Sequence, residues 1–193
     1  MPAATKDRII DTTAELFRRY GYTGTGMKQI VAEAQAPFGS LYHFFPGGKE
    51  QLGQETIRRS GQMYRELFEA IADPAPDIVT GVRSFFEGAA AVLEETDYAD
   101  ACPIATVALE VASTSEPLRE ATADVFNSWI DAATARLEAE GASPSGAREA
   151  AISMIASLEG AFILSRAFKS TEPMHVAGEH AVAVVRRALT REE

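Results

Sequence analysis

Apolar residues recur three and four positions apart along almost the whole sequence, and this spacing constrains the fold more than any other feature. The first apolar face runs from Ile9 through Leu16 to Tyr20 and ends at Gly21, a residue type that commonly terminates helices. No segment shows the apolar and polar alternation, with a period of two, of a half-buried strand. The pattern therefore predicts an all-α protein, which prolines and glycines divide into about nine helices.

Two of the predicted helices are short, and a tight turn joins them. The first covers residues 27–34 and the second covers residues 37–44. Pro37 cannot lie inside the first of them, but it suits the first turn of a new helix. A longer helix over residues 5–20 precedes the pair. Two short helices behind a supporting helix indicate a helix-turn-helix, whose second helix enters the major groove of DNA.

Charge is distributed unevenly along the chain. The formal net charge at pH 7 is −10, yet residues 1–60 contain eight Lys and Arg against six Asp and Glu. Because DNA phosphates attract clustered Lys and Arg, the basic part of the chain is where nucleic acid would bind. We therefore predict a helix-turn-helix DNA-binding domain over residues 1–48 and a second, acidic helical domain with a different task over residues 49–193.

The segments TGMKQIV at residues 25–31 and FGSLYHFFPGGKEQL at residues 38–52 closely resemble the DNA-binding domain of the TetR family of bacterial repressors. This resemblance covers about residues 5–58. The PGGKE ending and the ACPI segment at residues 101–104 are similar to the lincomycin-resistance-regulator-like (LmrA/YxaF) subgroup. The resemblance implies a homodimer, a palindromic double-stranded operator, and a small-molecule effector bound among the later helices.

The apolar residues of the short helices predict a small shared core, which leaves their other side chains free to face DNA. Ile30, Leu41 and Phe44 recur at core positions. The predicted DNA contacts are Thr25, Lys28, Pro37, Phe38, Gly39, Ser40, Tyr42, His43 and Lys49. The glycine lets the backbone approach the duplex, and the hydroxyl and imidazole groups offer hydrogen bonds to phosphate. By resemblance to the family, the phosphate ligands are Thr25, Lys28, Tyr42, His43 and Lys49.

Three positions of this motif depart from the family pattern, and the first is Val31, which stands where a small residue is usual. Gln35 stands at the turn where glycine is usual, so we expect it to adopt a positive φ at some cost. Phe38 stands where a polar or basic residue is frequent, so we expect apolar contact with a thymine methyl group in place of a hydrogen bond. The operator sequence therefore cannot be transferred from relatives.

Apolar and aromatic side chains on the inward helical faces beyond residue 48 predict the effector site. They are Met63, Phe85, Phe86, Val107, Phe126, Trp129, Met154, Leu158 and Phe162. A filled core explains the same residues as well as a cavity does, and both interpretations stay open at this point. Glu110 and Glu159 interrupt apolar faces, where each orients a ligand, pairs across a dimer or points to solvent.

The last two predicted helices, over residues 144–170 and 173–190, are rich in small side chains that let helix backbones approach closely. We predict that they form the seam of a two-fold dimer. The predicted interface residues are Gly160, Ala177, Ala181 and Val184.

The sequence contains no catalytic or metal-ligand pattern, so we predict no enzyme activity, no cofactor and no metal site. A single cysteine, Cys102, excludes an intrachain disulfide and fits a reducing compartment. The longest apolar runs are far shorter than the roughly 20 residues that cross a bilayer, and no signal peptide is recognised. These features predict a cytoplasmic protein with no membrane partner.

Taken with the resemblance, the sequence predicts a ligand-responsive, DNA-binding transcriptional repressor that a small, largely apolar effector releases from its operator. The alternative is a helical protein that binds or sequesters a small molecule and carries a vestigial helix-turn-helix. Salt-dependent binding to palindromic promoter DNA discriminates between the two.

Overall fold

The computed structural model describes residues 2–190, and within that range the chain forms nine α-helices and no β-strand. In chain order they are α1 (Pro2–Tyr20), α2 (Met27–Glu33), α3 (Phe38–Phe44), α4 (Gly48–Ala72), α5 (Ile78–Glu95), α6 (Pro103–Val111), α7 (Glu116–Ala139), α8 (Pro144–Phe168) and α9 (Glu172–Thr190). The prediction of an all-α fold is confirmed. Apart from the start of α1, every predicted helix end lies within two residues of the observed one.

Contacts between helices divide the described residues into two compact units. The first unit contains α1 to α3, α4 as far as residue 62, α6, and α7 as far as residue 125. The second unit contains the remainder of α4 and α7 together with α5, α8 and α9. Beyond the predicted boundary at residue 48 these units follow packing rather than chain order, since α6 packs on α1.

The first unit has one apolar core, to which α1, α2 and α3 all contribute. Its buried members are Ile9, Ile10, Leu16, Ile30, Val31, Ala34, Leu41, Phe45 and Leu52. Phe45 is fully buried, whereas Phe44, the predicted core aromatic, packs against the edge of the cluster. Leu41 alone of the seven residues of α3 is buried, and Phe38, Gly39, Tyr42 and His43 are exposed on its open face.

The turn between α2 and α3 depends on a residue in the left-handed region. Gln35 has a φ of +49°, which confirms the prediction of a positive φ at this position. Such a conformation costs a non-glycine residue roughly 1–2 kcal/mol. Pro37, with φ −59° and ψ 138°, flanks α3 instead of lying in its first turn, so the helix begins at Phe38.

In the second unit, α5, α8 and α9 pack around a larger core. Gly178 on α9 lies against α5, where a Cβ at this position would be 2.9 Å from the Cβ of Phe86. Glycine therefore permits the close approach of these two helices. Asp77 caps the start of α5: its carboxylate accepts a hydrogen bond from the Thr80 N–H at 2.7 Å, and this bond lowers the pKa of Asp77.

α8 carries an apolar surface that its own chain leaves largely open. In its most apolar stretch of 18 residues, 28% is buried within the chain, and Ile152, Ile163 and Leu164 are exposed. By length and composition alone this helix is able to cross a membrane, and an apolar helix packed inside a protein meets the same criteria.

Candidate nucleic-acid interface

α3 presents an ordered pair of aromatic rings on its open face. Phe38 and Tyr42, four residues apart, are 46% and 51% exposed. Their rings meet edge to face, with centroids 5.6 Å apart and an interplanar angle of 63°. This contact favours one arrangement of both rings on an accessible surface. Rings held in this way are suited to contact the base edges of a DNA groove.

The other residues of this surface are accessible as well. His43 and Gly39 are exposed, and a Cβ added at Gly39 would meet no heavy atom within 4 Å. Lys28 on α2 and Pro37 ahead of α3 are exposed, and Ser40 is half-buried. Seven of the nine predicted DNA contacts therefore lie on one accessible stretch formed by α2, α3 and the turn between them.

Thr25 does not belong to this surface. Its side chain is fully buried, and its hydroxyl donates to the Gly21 carbonyl oxygen at 2.7 Å. Thr25 lies just before α2, where this hydrogen bond closes the turn that follows α1. The prediction that Thr25 holds a phosphate is therefore wrong, because its hydroxyl is both engaged and inaccessible.

Lys49, in the first turn of α4, is half-buried and lies over an aromatic ring. Its Nζ is 4.3 Å from the centroid of the Tyr22 ring, a cation–π contact. Burial lowers the pKa of Lys49, and the negative charge of Glu110 acts in the opposite direction. Burial, with the charge of Glu50, raises the pKa of Tyr22. That Lys49 binds a phosphate stays a prediction, and it requires the ammonium to leave this ring.

Glu110 is a residue of the first unit whose role the sequence did not reveal. Its carboxylate accepts hydrogen bonds from the backbone N–H groups of Tyr22 at 3.0 Å and Thr23 at 2.7 Å. The sequence left three roles open for this glutamate, and the structure gives it a fourth, at the turn after α1. Gly21 was a visible signal of that turn, but nothing in the sequence links it to a residue almost ninety positions away.

Four of the predicted effector residues of the second unit belong to two groups of aromatic rings. Phe85 and Phe86 lie together with Phe68, and Phe126 and Trp129 lie together with Tyr64; Phe68 and Tyr64 were not predicted. Neighbouring ring centroids lie 5.3–6.4 Å apart, with edge-to-face geometry in both groups. Met154 is buried in the core of this unit, and Leu158 and Phe162 pack against it. That these residues bind an effector stays a prediction.

Two of the predicted effector residues, Met63 and Val107, lie neither in the core of the second unit nor in its two aromatic groups. Met63 is 49% exposed, because it follows the buried Gly61 by two positions and so faces the opposite side of α4. The prediction that Met63 faces inward is therefore wrong. Val107 is fully buried on α6, and it belongs to the first unit.

The predicted dimer residues differ in how accessible they are. Gly160 and Ala177 are half-buried, and a Cβ added at Gly160 would meet no heavy atom within 4 Å. Val184 lines a cleft of about 350 Å³ between α8 and α9. Ala181 is fully buried, because it lies on the face that α9 turns toward its own core. The prediction that Ala181 lies in a dimer seam is therefore wrong.

Comparison with known proteins identifies the family. Residues 9–56 match the family described as "Bacterial regulatory proteins, tetR family". Residues 78–180 match "Transcriptional regulator LmrA/YxaF-like, C-terminal domain".

Two transcriptional regulators and a solved structure are similar to nearly the whole chain and support this family assignment. The uncharacterised HTH-type transcriptional regulator YxaF of Bacillus subtilis is 33% identical over 95% of this chain and 96% of its own length. The HTH-type transcriptional regulator LmrA of the same organism is 33% identical over 88% of this chain and 90% of its own. A crystal structure of the regulatory protein TetR from Rhodobacter sphaeroides shares the fold, with a TM-score of 0.82 and 19% identity over 92% of this chain and 97% of that one. The chain therefore belongs to the TetR family, in its LmrA/YxaF-like group, and is a DNA-binding transcriptional regulator.

Proposed function

We propose that this regulator is a homodimeric repressor, whose two α3 helices bind successive major grooves of a palindromic operator and which a small, largely apolar effector releases. The observation that carries the proposal is the open face of α3, where Phe38 and Tyr42 form an ordered aromatic pair beside the exposed His43. The cytoplasm, where operator DNA lies, is the proposed site of action.

The open apolar surface of α8 supports the dimer. Two α3 helices must lie about 34–36 Å apart, or a multiple of this distance, to bind equivalent half-sites of a palindromic operator, and a single chain has only one α3. Contiguous apolar surface on a protein usually marks an interface. The exposed large apolar side chains of α8 are Ile152, Ile163, Leu164 and Phe168, and Val176 on α9 is also exposed. Gly160 adds a place where a second helix can come close, since the space beside it is open.

The two aromatic groups of the second unit support an apolar effector. Ligand sites are mostly apolar and aromatic, with few polar groups. An effector that binds better to a conformation with the wrong spacing between the two α3 helices would release the operator, and operator DNA would weaken effector binding by the same factor.

The test is binding of the full-length protein to a fragment of the promoter upstream of its own gene. We expect binding that falls steeply as salt rises, a footprint with two-fold symmetry, and two chains in each complex. A protein that binds an apolar compound but no DNA would instead be the sequestering protein considered from the sequence.

A further inference from the structure

α6 links two parts of the chain that the family comparison assigns to different domains. The match to the LmrA/YxaF-like C-terminal domain spans residues 78–180 and so includes α6. In the structure, however, α6 packs on α1 within the first unit, which also holds the helix-turn-helix. A side chain of α6 that contacts the helix-turn-helix therefore acts directly on the part of the protein that meets DNA.

Glu110, in the last turn of α6, is such a side chain. Its two carboxylate oxygens accept one hydrogen bond each, from Tyr22 N–H at 3.0 Å and from Thr23 N–H at 2.7 Å. Hydrogen bonds from backbone N–H groups to a charged carboxylate are stronger than bonds between neutral groups. Gly21 has a φ of +71°, and a Cβ at this position would lie 1.8 Å from Oε1 of Glu110. Glycine is thus required here both by the backbone and by the position of the carboxylate.

The turn that Glu110 holds is the only covalent connection from α1 to the two helices that follow. After Gly21, the Thr25 hydroxyl returns to the Gly21 carbonyl oxygen at 2.7 Å, and α2 begins at Met27. The ring of Tyr22 packs edge to face on Phe17 of α1, with centroids 5.7 Å apart. A shift of the turn would therefore tilt α2 against α1 and move α3 with it.

We propose that Glu110 is a positioning residue for operator recognition: its carboxylate, bound to the Tyr22 and Thr23 N–H groups, holds α2 and α3 in the orientation that fits the major groove. The proposal rests on operator binding and adds to it a residue that touches no DNA. Base contacts need the correct orientation of α3, whereas phosphate contacts tolerate a wider range. Loss of the carboxylate therefore weakens specific binding more than non-specific binding.

The test compares specific and non-specific DNA binding. The wild-type protein first selects its preferred duplex from random-sequence DNA, and a scrambled duplex of the same composition serves as the non-specific probe. Fluorescence anisotropy then gives the Kd of each variant for both duplexes. We expect Glu110→Ala to weaken binding to the selected duplex about tenfold, as loss of hydrogen bonds to a charged group implies, and to leave the scrambled duplex unaffected. Glu110→Gln, which keeps one acceptor oxygen, falls between Glu110→Ala and the wild type.

Hydrogen exchange provides a direct readout of the contact. The amides of Tyr22 and Thr23 should exchange faster in Glu110→Ala, while the melting temperature should fall by no more than a few degrees, because one half-buried contact in a chain of this size is lost. Glu116→Gln is the matched control, since this α7 carboxylate pairs with Arg119 at the surface of the same unit. The control should retain wild-type affinity for both duplexes.

A second substitution tests the same contact from the other side. Gly21→Ala places a methyl group against the carboxylate and also strains the backbone, whose φ is +71° at this position. It should weaken specific binding in the wild type, and it should add less in the Glu110→Ala background, where only the backbone strain is left. The proposal is overturned if Glu110→Ala binds the selected duplex like the wild type, if its affinities for both duplexes fall together with the melting temperature, or if the two substitutions are additive. If the wild type enriches no duplex, operator binding itself fails, and this inference fails with it.

Discussion

Phe38→Ala tests whether α3 reads a thymine methyl group. Phe38 has no hydrogen-bonding group, is 46% exposed, and is held by the edge of Tyr42. The methyl group is the only atom group in the major groove by which thymine differs from uracil, so replacing thymine with deoxyuridine removes the predicted contact and nothing else. If the contact exists, removal of the ring and removal of the methyl group should not be additive.

The expected change in Kd follows from the burial of one thymine methyl group against the Phe38 ring. Burial of a group of this size contributes about 0.8 kcal/mol, which is about a fourfold change in Kd. A palindromic operator contains the contact twice, so deoxyuridine in both half-sites should weaken wild-type binding about 15-fold. For Phe38→Ala the same DNA change should have almost no effect. Loss of the ring contact with Tyr42 costs only about 0.5–1.5 kcal/mol, so the variant should fold.

The assay is fluorescence anisotropy with the selected duplex, in which each symmetric pair of thymines is replaced in turn. Val92→Ala is the control, since Val92 is an exposed apolar residue on α5, a helix that belongs neither to the proposed DNA contact nor to the proposed dimer surface. One thymine pair should show coupling to Phe38 and none to Val92. The proposed contact would be refuted if, at every thymine pair, replacement with deoxyuridine weakened DNA binding equally in the wild type and in Phe38→Ala.

Three further predictions concern the dimer, the effector and the turn between α2 and α3. Gly160→Arg should yield monomers that lose specific DNA binding, because its side chain has open space in its own chain and would place a charge in the seam; Gly88→Arg, on α5 with similar space, should remain dimeric in sedimentation. The emission of Trp129, the single tryptophan, should shift with an apolar effector at the concentrations that release DNA, and Trp129→Phe should change the effector concentration that releases DNA without changing DNA affinity in the absence of effector; a panel of apolar compounds without effect on emission or on DNA release would support a filled core. Gln35→Gly should raise the stability by up to about 1 kcal/mol, because relief of the left-handed strain exceeds the added chain entropy; an unchanged or lower midpoint in urea would contradict this.

The sequence predicted helices well because their signals are local. Gly21, Pro37 and Pro144 lie at or beside helix ends, as expected from backbone chemistry. These features depend on neighbours within a few residues, so one sequence is sufficient to find them. The positive φ of Gln35 was predicted differently, from the resemblance, since the family pattern places glycine there.

The predictions from the sequence were wrong or incomplete where tertiary contacts decide whether a side chain is buried in its own chain or faces a partner. Ala181 is small enough for either a core or a seam, and only the packing of α9 puts it inside. Thr25 has the polarity of a phosphate ligand, but packing of the first unit buries its side chain completely, and its hydroxyl donates to the Gly21 carbonyl oxygen. The role of Glu110 depends on α6 packing against α1, a long-range arrangement that helical periodicity does not contain.

The central claim is that two copies of α3 bind a two-fold symmetric site, and sequence selection combined with sedimentation tests it most directly. The full-length protein selects duplexes from a random pool, and the mass of the complex with the selected duplex is then measured at two salt concentrations. We expect inverted half-sites whose centres are one helical turn, about 10–10.5 base pairs, or a multiple of it apart, with two chains or a higher even number bound and affinity falling as salt rises. Enrichment of no sequence, or a single half-site bound by one chain, would contradict the account.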